Sequence, residues 1–348
     1  MKKLIVAALI GMLCSCISFA QPIVGISLSD VASPRWQRER DNMVAILKAS
    51  GCNVLVEEAG FDARRQADQI RDMAQKGARV LIVVAEDGEY LVPLVDELVA
   101  QGVKVIAYDR LIPTINLAVY VSFDLLEVGR LQARGVLEAM NATSGRNIAL
   151  LGGSADNVPE AHLFRKGQLE IIQPLLDKKE LRVVADMWVA QWNPSNAEKL
   201  MHMIIQRTQG RFDAVVASND GTALGALRAM RAAGLAGKVP ISGQDATEAG
   251  CNSIARGELT VTVLKDDRML SPAVCDIAIK LAREEAVPEL VSCKLSDLRL
   301  DQSLNGEVQC RFLPLVLVTK DNLKSAVVDS GYQDYDAVYA GVENPPPR

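Results

Sequence analysis

Four short apolar runs in this sequence each end in side chains suited to binding hydroxyl groups. Residues 103–108 run into Asp109-Arg110, 214–218 into Asn219-Asp220, 239–243 into Gln244-Asp245 and 259–264 into Lys265-Asp266. Carboxylates, amides, a guanidinium and an ammonium supply the acceptors and donors that a polyhydroxylated ligand needs, because each buried hydroxyl left unpaired costs about 1–3 kcal/mol. Ligands of open parallel α/β sheets sit outside the carboxyl ends of the strands, so these residues read as the lining of one pocket. Flat rings would face the C–H side of such a ligand. The chain is only 4% aromatic with three tryptophans, yet Trp36 and Trp192 sit in otherwise polar segments, Ser33-Pro34-Arg35-Trp36-Gln37 and Gln191-Trp192-Asn193-Pro194. Both are candidate stacking platforms. Plainer roles compete for each residue: a solvated turn or exposed ion pair for Asp109-Arg110, a helix N-cap for Asn219 or Asp220, a solvent-facing position for Lys265, and core packing for either tryptophan.

A parallel sheet has to position these residues. Short β-rich runs at 23–28, 53–58, 80–84, 103–108 and 119–122 alternate with helix-like stretches, and the cadence repeats at 147–151, 182–188, 214–218, 240–243 and 259–264. Alternation of this kind predicts an α/β fold with crossover helices. Gly51, Gly77, Gly102, Gly234 and Gly257 close helical stretches, a common stop signal. The 348 residues exceed the usual single-core limit, so two similar lobes are expected, with a cleft between them that closes by hinge motion. The tail from 329 to 348 has little periodicity and is expected to wrap the surface or fray.

Charge and the amino terminus narrow the class. A formal charge of −5 without a basic cluster argues against nucleic acid as a partner. Met1-Lys2-Lys3, the apolar run 4–13 and Ser18-Phe19-Ala20 form a secretory signal, residues 1–20, so the expected location is the periplasm. Leu13-Cys14-Ser15-Cys16 also resembles a lipobox, which would instead anchor the protein through a lipidated Cys16. Loss of Lys2 and Lys3 takes the charge from −5 to −7 and leaves Cys52, Cys251, Cys275, Cys293 and Cys310. Cys52 and Cys275 read as buried, inert thiols. Cys293 and Cys310 flank the polar insert 294–309 in an oxidising compartment and are the candidate disulfide. No spacing of cysteines with His162 and His202 suggests a metal site, and no cofactor is implied.

Taken together, Arg35-Trp36-Gln37, Tyr108-Asp109-Arg110, Gly152-Gly153-Ser154 with Asp156-Asn157, Leu163-Phe164-Arg165, 215–220 and 241–246 resemble the type I periplasmic sugar-binding family, in its xylose-binding branch. The resemblance covers nearly all of the mature chain. It implies two Rossmann-like lobes joined by a three-segment hinge, one lobe from 21–124 with about 267–302 and the other from 125–266 with about 303–328, followed by the tail. It further implies a monosaccharide in the cleft, xylose or a related aldopyranose, no catalysis, and delivery to the membrane permease of an ABC importer. A chemoreceptor or sensor kinase reading the sugar-closed form is the alternative partner. Position by position, the family's sugar contacts fall on Arg35, Asp109, Arg110, Trp192, Asn219, Asp245 and Lys265, with Trp36 beside the ring. One segment departs: 156–162 is a residue longer than the family pattern, so either Glu160 takes the position of a ligand asparagine or the extra residue loops out and Asn157 reaches the sugar.

Two other classes share parts of this pattern. A repressor effector domain has the same fold but needs a DNA-binding headpiece, where this chain has a signal segment. An enzyme would need a dinucleotide fingerprint after a strand, a nucleophile elbow or a P-loop, and the sequence has none of these. Signal cleavage after Ala20 predicts a mature protein starting at Gln21; intact-mass spectrometry of exported protein checks this, and a diacylglyceryl Cys16 would show the lipoprotein route instead.

Overall fold

Apolar runs of four to six residues, buried along most of their length, make the central strands. The computed structural model describes residues 21–31, 34–140, 146–156 and 159–348; the signal segment with Cys16, and Asn157, lie outside the described residues. In chain order the first half gives β1 (Ile23–Leu28), α1 (Pro34–Ala49), β2 (Asn53–Glu58), α2 (Ala63–Gln75), β3 (Val80–Val83), α3 (Gly88–Ala100), β4 (Lys104–Tyr108) and β5 (Val119–Ser122). The second half begins with α4 (Leu125–Ala139), β6 (Arg146–Gly152), α5 (Glu160–Asp177), β7 (Leu181–Trp188), α6 (Pro194–Thr208), β8 (Ala214–Ala217) and α7 (Asp220–Ala232). It continues with β9 (Ser242–Gln244), α8 (Glu248–Ala255), β10 (Val261–Lys265), α9 (Leu270–Ala282), β11 (Val291–Lys294), α10 (Leu295–Arg299), β12 (Glu307–Phe312), β13 (Leu315–Val318) and α11 (Tyr335–Val338).

Among the described residues the first sheet runs β11-β12-β5-β4-β3-β1-β2, parallel except for the β11 edge. The second lobe holds β7-β6-β8 and β9-β10-β13, joined by a single parallel bridge between Val215 and Ile241, with β13 antiparallel at the edge. Pro240 has no N–H to extend that bridge into a longer ladder. Two α/β lobes with parallel sheets are thus present, as expected from the alternating pattern. The chain passes between them after β5, again between β10 and α9, and finally at Leu313-Pro314 between β12 and β13. That last passage corrects the boundary expected near 303. Val308 and Cys310 are buried against the first-lobe core and β12 pairs with β5, so the polar insert stays with the first lobe. The tail also differs from a frayed end. Val327 and Val338 are fully buried in the second-lobe core, and α11 packs on α8.

Two glycines and one carboxylate set the inner geometry of the second lobe. A Cβ at Gly129 would lie 2.1 Å from the Phe164 carbonyl, and one at Gly167 2.0 Å from that of Leu126, so α4 and α5 meet backbone to backbone only because both are glycine. Asp220, the first residue of α7, is fully buried and accepts from Thr262 Oγ1 (2.7 Å), Thr247 N (2.8 Å) and Thr247 Oγ1 (2.9 Å). It ties α7 to β10 and to the start of α8.

Burial pushes the Asp220 carboxyl from an ordinary 3.8 up to about 7, against the hydrogen bonds from Thr262 and Thr247. A raised folded-state value means that this group's contribution to stability is complete below about 4 and is lost as pH rises through about 7. Asp220→Ala strands one buried and two part-buried donors and is expected to lower stability by about 3 kcal/mol at pH 5, with a smaller loss at pH 8. Urea unfolding of the full chain at the two pH values measures both effects; an equal loss at each would show that Asp220 does not titrate across this range.

Candidate functional site

In the first lobe the site begins with a charged relay at the start of α1. Arg35 lies in the first turn, where a four-residue spacing brings Glu39 onto the same face. Arg35 Nε donates to Glu39 Oε1 (2.7 Å), its Nη2 reaches Asp109 Oδ1 (3.3 Å), and its guanidinium lies 4.5 Å above the Trp36 ring. Glu39 is 2% exposed and also accepts from the Tyr108 hydroxyl at 2.5 Å. Burial raises the Glu39 carboxyl even though Arg35 and Tyr108 act in the opposite direction. For Arg35, burial lowers the guanidinium, but Asp109 and Glu39 outweigh it and keep it firmly charged.

Asp109 sits at the carboxyl end of β4 with φ 63°, an uncommon backbone state for a residue with a side chain. Its environment holds it there: Asp109 N donates to Val121 O (2.8 Å), and its carbonyl accepts from Tyr120 OH (3.0 Å) and Ser122 Oγ (3.3 Å). Arg110 turns the other way, donating to Ser29 Oγ and Ala85 O, both at 3.1 Å, with Glu86 at 3.5 Å. The ends of β1, β3 and β4 are thereby joined.

The second-lobe half is built on Phe164. Trp192 meets it edge to face at 6.4 Å, and Lys265 Nζ stands 5.5 Å over its ring. Gly153 lies directly beneath the Trp192 ring, where a Cβ would come within 2.0 Å of it, so the indole is seated against bare backbone. Gln191 and Trp192 both take left-handed φ values, 57° and 54°, and Ser154 Oγ accepts from Gln191 N at 2.7 Å to fix that turn. Lys265 pairs with Glu160 at 3.9 Å. Burial pushes the Asp245 carboxyl up to about 6, with Lys265 pulling it down and Glu160 adding to the rise. These three charged groups therefore share one field.

Asn219 is the N-cap of α7, its Oδ1 accepting from Thr222 N at 2.8 Å, and its amide nitrogen has no hydrogen-bond partner among the described residues. Asp220, next to it, faces the interior and not the cleft. Trp36 likewise differs from an open stacking surface: it is 7% exposed, packs against Tyr108 at 6.3 Å and already carries Arg35 on its face. In this structure the ring lies under the Arg35 guanidinium. The lobes also approach each other at α5 and α10, where Lys166 Nζ lies 3.2 Å from Asp297 Oδ1. The hinge turn between β10 and α9 joins them, with Asp267 3.0 Å from Arg38 and 3.7 Å from Arg35.

Sequence reasoning does not single out Glu39, Tyr108, Phe164 or Asp267. Tyr108 and Phe164 stand inside the quoted motifs, and Glu39 follows Arg35 by one helical turn, so a signal existed for three of the four. Asp267 had none beyond its place after a strand. Among the described residues no group of three His, Cys, Asp or Glu side chains is placed to hold a metal ion, and no helix is long and apolar enough to cross a membrane.

Comparison with known proteins adds three findings. Residues 24–286 match the model of the periplasmic binding protein domain. The chain is 38% identical over 313 residues to the D-xylose-binding periplasmic protein of Escherichia coli, covering 89% of this chain and 90% of that one; it is 31% identical to a multiple sugar-binding periplasmic receptor of Rhizobium radiobacter, covering 90% and 91%. Among solved structures it superposes on a carbohydrate transporter solute-binding protein of Chloroflexus aurantiacus in complex with D-glucose, with a TM-score of 0.69 at 26% identity, covering 91% of this chain and 98% of the other.

Proposed function

The chain belongs to the periplasmic binding protein family, and from that premise we propose that it is the sugar-binding component of an ABC importer, taking a neutral aldopyranose between its lobes. The observation that carries this reading is the charge balance of the cleft. Arg35 pairs with Asp109 on one wall and Lys265 with Glu160, in the field of Asp245, on the other, so donors stand beside acceptors and neither cation is left over to attract an anionic ligand. Trp192, seated on Gly153 and braced by Phe164, supplies the flat apolar face that a pyranose ring needs on one side.

The family is one of substrate-binding proteins, and the reading needs no chemical step. We place the protein in the periplasm, where it hands its sugar to the membrane permease of the importer. The lobes close by rotation about the three passages between them. The likeness to a periplasmic receptor supports a second use of the same closed form, presentation of the sugar to a sensor in the membrane.

Sugar identity turns on Glu160. An ionised carboxylate supplies two acceptors where an asparagine supplies one acceptor and one donor, so the hydroxyl pattern preferred here differs from that of a plain xylose binder. We also propose that Cys293 and Cys310 form a disulfide in the oxidising periplasm. They lie on adjacent antiparallel strands, Cys293 opposite Val308 and Cys310 opposite Val291, with Cys310 Sγ donating to Val308 O at 3.6 Å, and both are free thiols in this structure. Closing a loop of this length is worth about 3 kcal/mol.

A thermal-shift panel of pentoses and hexoses identifies the sugar, since a ligand at 100 times its Kd adds about 2.7 kcal/mol to native stability. With that sugar, Trp192→Ala and Asp109→Ala are each expected to weaken binding at least tenfold, about 1.4 kcal/mol, in titration calorimetry. Glu160→Asn should raise the rank of xylose. Unchanged affinity in both alanine variants would reject the cleft, and an unchanged ranking would move the specificity position to Asn157. Thiol labelling of exported, denatured protein should find three free cysteines; five would rule out the disulfide.

A further inference from the structure

The turn that carries Asp245 is held in place by the far end of the chain. Asp245 and Ala246 have consecutive positive φ values, 103° and 45°, a conformation that side-chain-bearing residues keep only where their surroundings enforce it. Their four backbone polar groups are all engaged. The two amides are held within the lobe, Asp245 N by Val263 O (2.9 Å) and Ala246 N by Thr262 Oγ1 (3.2 Å). The two carbonyls are held by the tail: Tyr332 OH donates to Asp245 O (3.3 Å) and Gln333 Nε2 to Ala246 O (2.9 Å).

That tail segment is itself anchored at both ends of its reach. The amides of Tyr332 and Gln333 both donate to the carbonyl of fully buried Val327, at 2.9 and 3.1 Å. Arg268, in the hinge turn between β10 and α9, stacks its guanidinium 5.0 Å from the Tyr332 ring centre and donates to Ser330 O at 3.2 Å. Its remaining donors grip Asp266 at 2.8 and 2.6 Å. The neighbouring Asp267 is the residue that reaches back to Arg35. A continuous set of contacts thus runs from the first-lobe site through the hinge and the tail to the Asp245 turn.

We propose that Tyr332 and Gln333 are positioning residues for the ligand carboxylate Asp245, so that the C-terminal tail is a working part of the sugar site. This rests on the reading of Asp245 as a sugar contact. Without the two tail donors both carbonyls lose their partners, the turn relaxes toward ordinary negative φ values, and the Asp245 side chain leaves its place against Gln244 Nε2 and in the field of Lys265. A tail that only covered the core would behave differently. Its loss would lower stability without regard to what Asp245 does.

A double-mutant cycle separates the two, because residues that act through one another are not additive. Titration calorimetry with D-xylose and D-glucose is run on the full mature chain for Gln333→Ala, Tyr332→Phe, Asp245→Asn and the two tail changes in the Asp245→Asn background. Gln333→Ala is expected to weaken binding about tenfold and Tyr332→Phe, which keeps the ring under Arg268, about threefold; in the Asp245→Asn background each should change affinity less than twofold. Thermal unfolding without sugar verifies that the variants are folded, and should Gln333→Ala fail to fold, the Tyr332→Phe cycle decides alone. Lost affinity in Asp245→Asn together with native affinity in the tail variants, or equal tail effects in both backgrounds, overturns the positioning role only. Native affinity in Asp245→Asn overturns the sugar-contact reading and the proposal with it.

Discussion

A carboxylate with no access to water has to be given partners, and in this protein the partners of Asp220 are what shape the second half of the cleft. Its two oxygens take three hydrogen bonds, one from β10 and two from Thr247 at the start of α8. Space for the carboxylate exists because Gly243 and Gly250 stand beside it; a Cβ at either would lie 2.1 or 2.2 Å from an Asp220 oxygen. Thr262, held by Asp220, in turn receives Ala246 N and so starts the turn that aims Asp245. An unpaired charge at this depth would cost several kcal/mol. The geometry of β9, β10, α7 and α8 is therefore fixed together, and the cleft side of all four follows from it.

The first lobe solves a similar problem with a pair. Glu39 is buried between Arg35 and Tyr108, and the hydrogen bonds from both keep the arginine head pointing at Asp109 while the Trp36 ring supports it from below. Buried ionic groups of this kind add little net stability, since desolvation offsets much of their attraction. Their effect is geometric. Arg35 and Asp109 are held in one arrangement, so in the proposed site a sugar would meet donors and acceptors already placed, with less side-chain entropy left to lose on binding.

Binding between two lobes asks that each half be rigid and that the joint be soft. Rigidity comes from backbone-level packing such as the reciprocal Gly129 and Gly167 contacts that seat α5, with Glu160 at its start and Phe164 one turn on, against α4. The joint comes from three short passages, and the one between β10 and α9 is braced by Arg268, Asp266 and Asp267 through exposed or half-exposed pairs. Such pairs exchange partners at low cost in water. Rearrangement during the proposed closure would then fall on the surface and leave the buried hubs intact.

The sequence alone was sufficient for the α/β alternation, because period and punctuation are local: β-branched runs, glycine stops and capping residues such as Asn219 act within a few residues of themselves. It also placed Asp109, Asn219, Asp245 and Lys265 at the carboxyl ends of strands, since an apolar run gives way to polar residues where a strand leaves the core. Local pattern could not say which of two adjacent polar residues turns outward. Asn219 and Asp220 look alike in sequence, yet one caps a helix at the cleft and the other is sealed inside by Thr247 and Thr262 from distant elements. Trp36 and Trp192 look alike too, and only packing put Tyr108 and Arg35 on the first and bare Gly153 under the second. The same holds for β12 and the tail, whose places depend on pairing with β5 and on burying Val327 and Val338. Those choices are made by long-range complementarity of shape and charge, which no window along the chain contains.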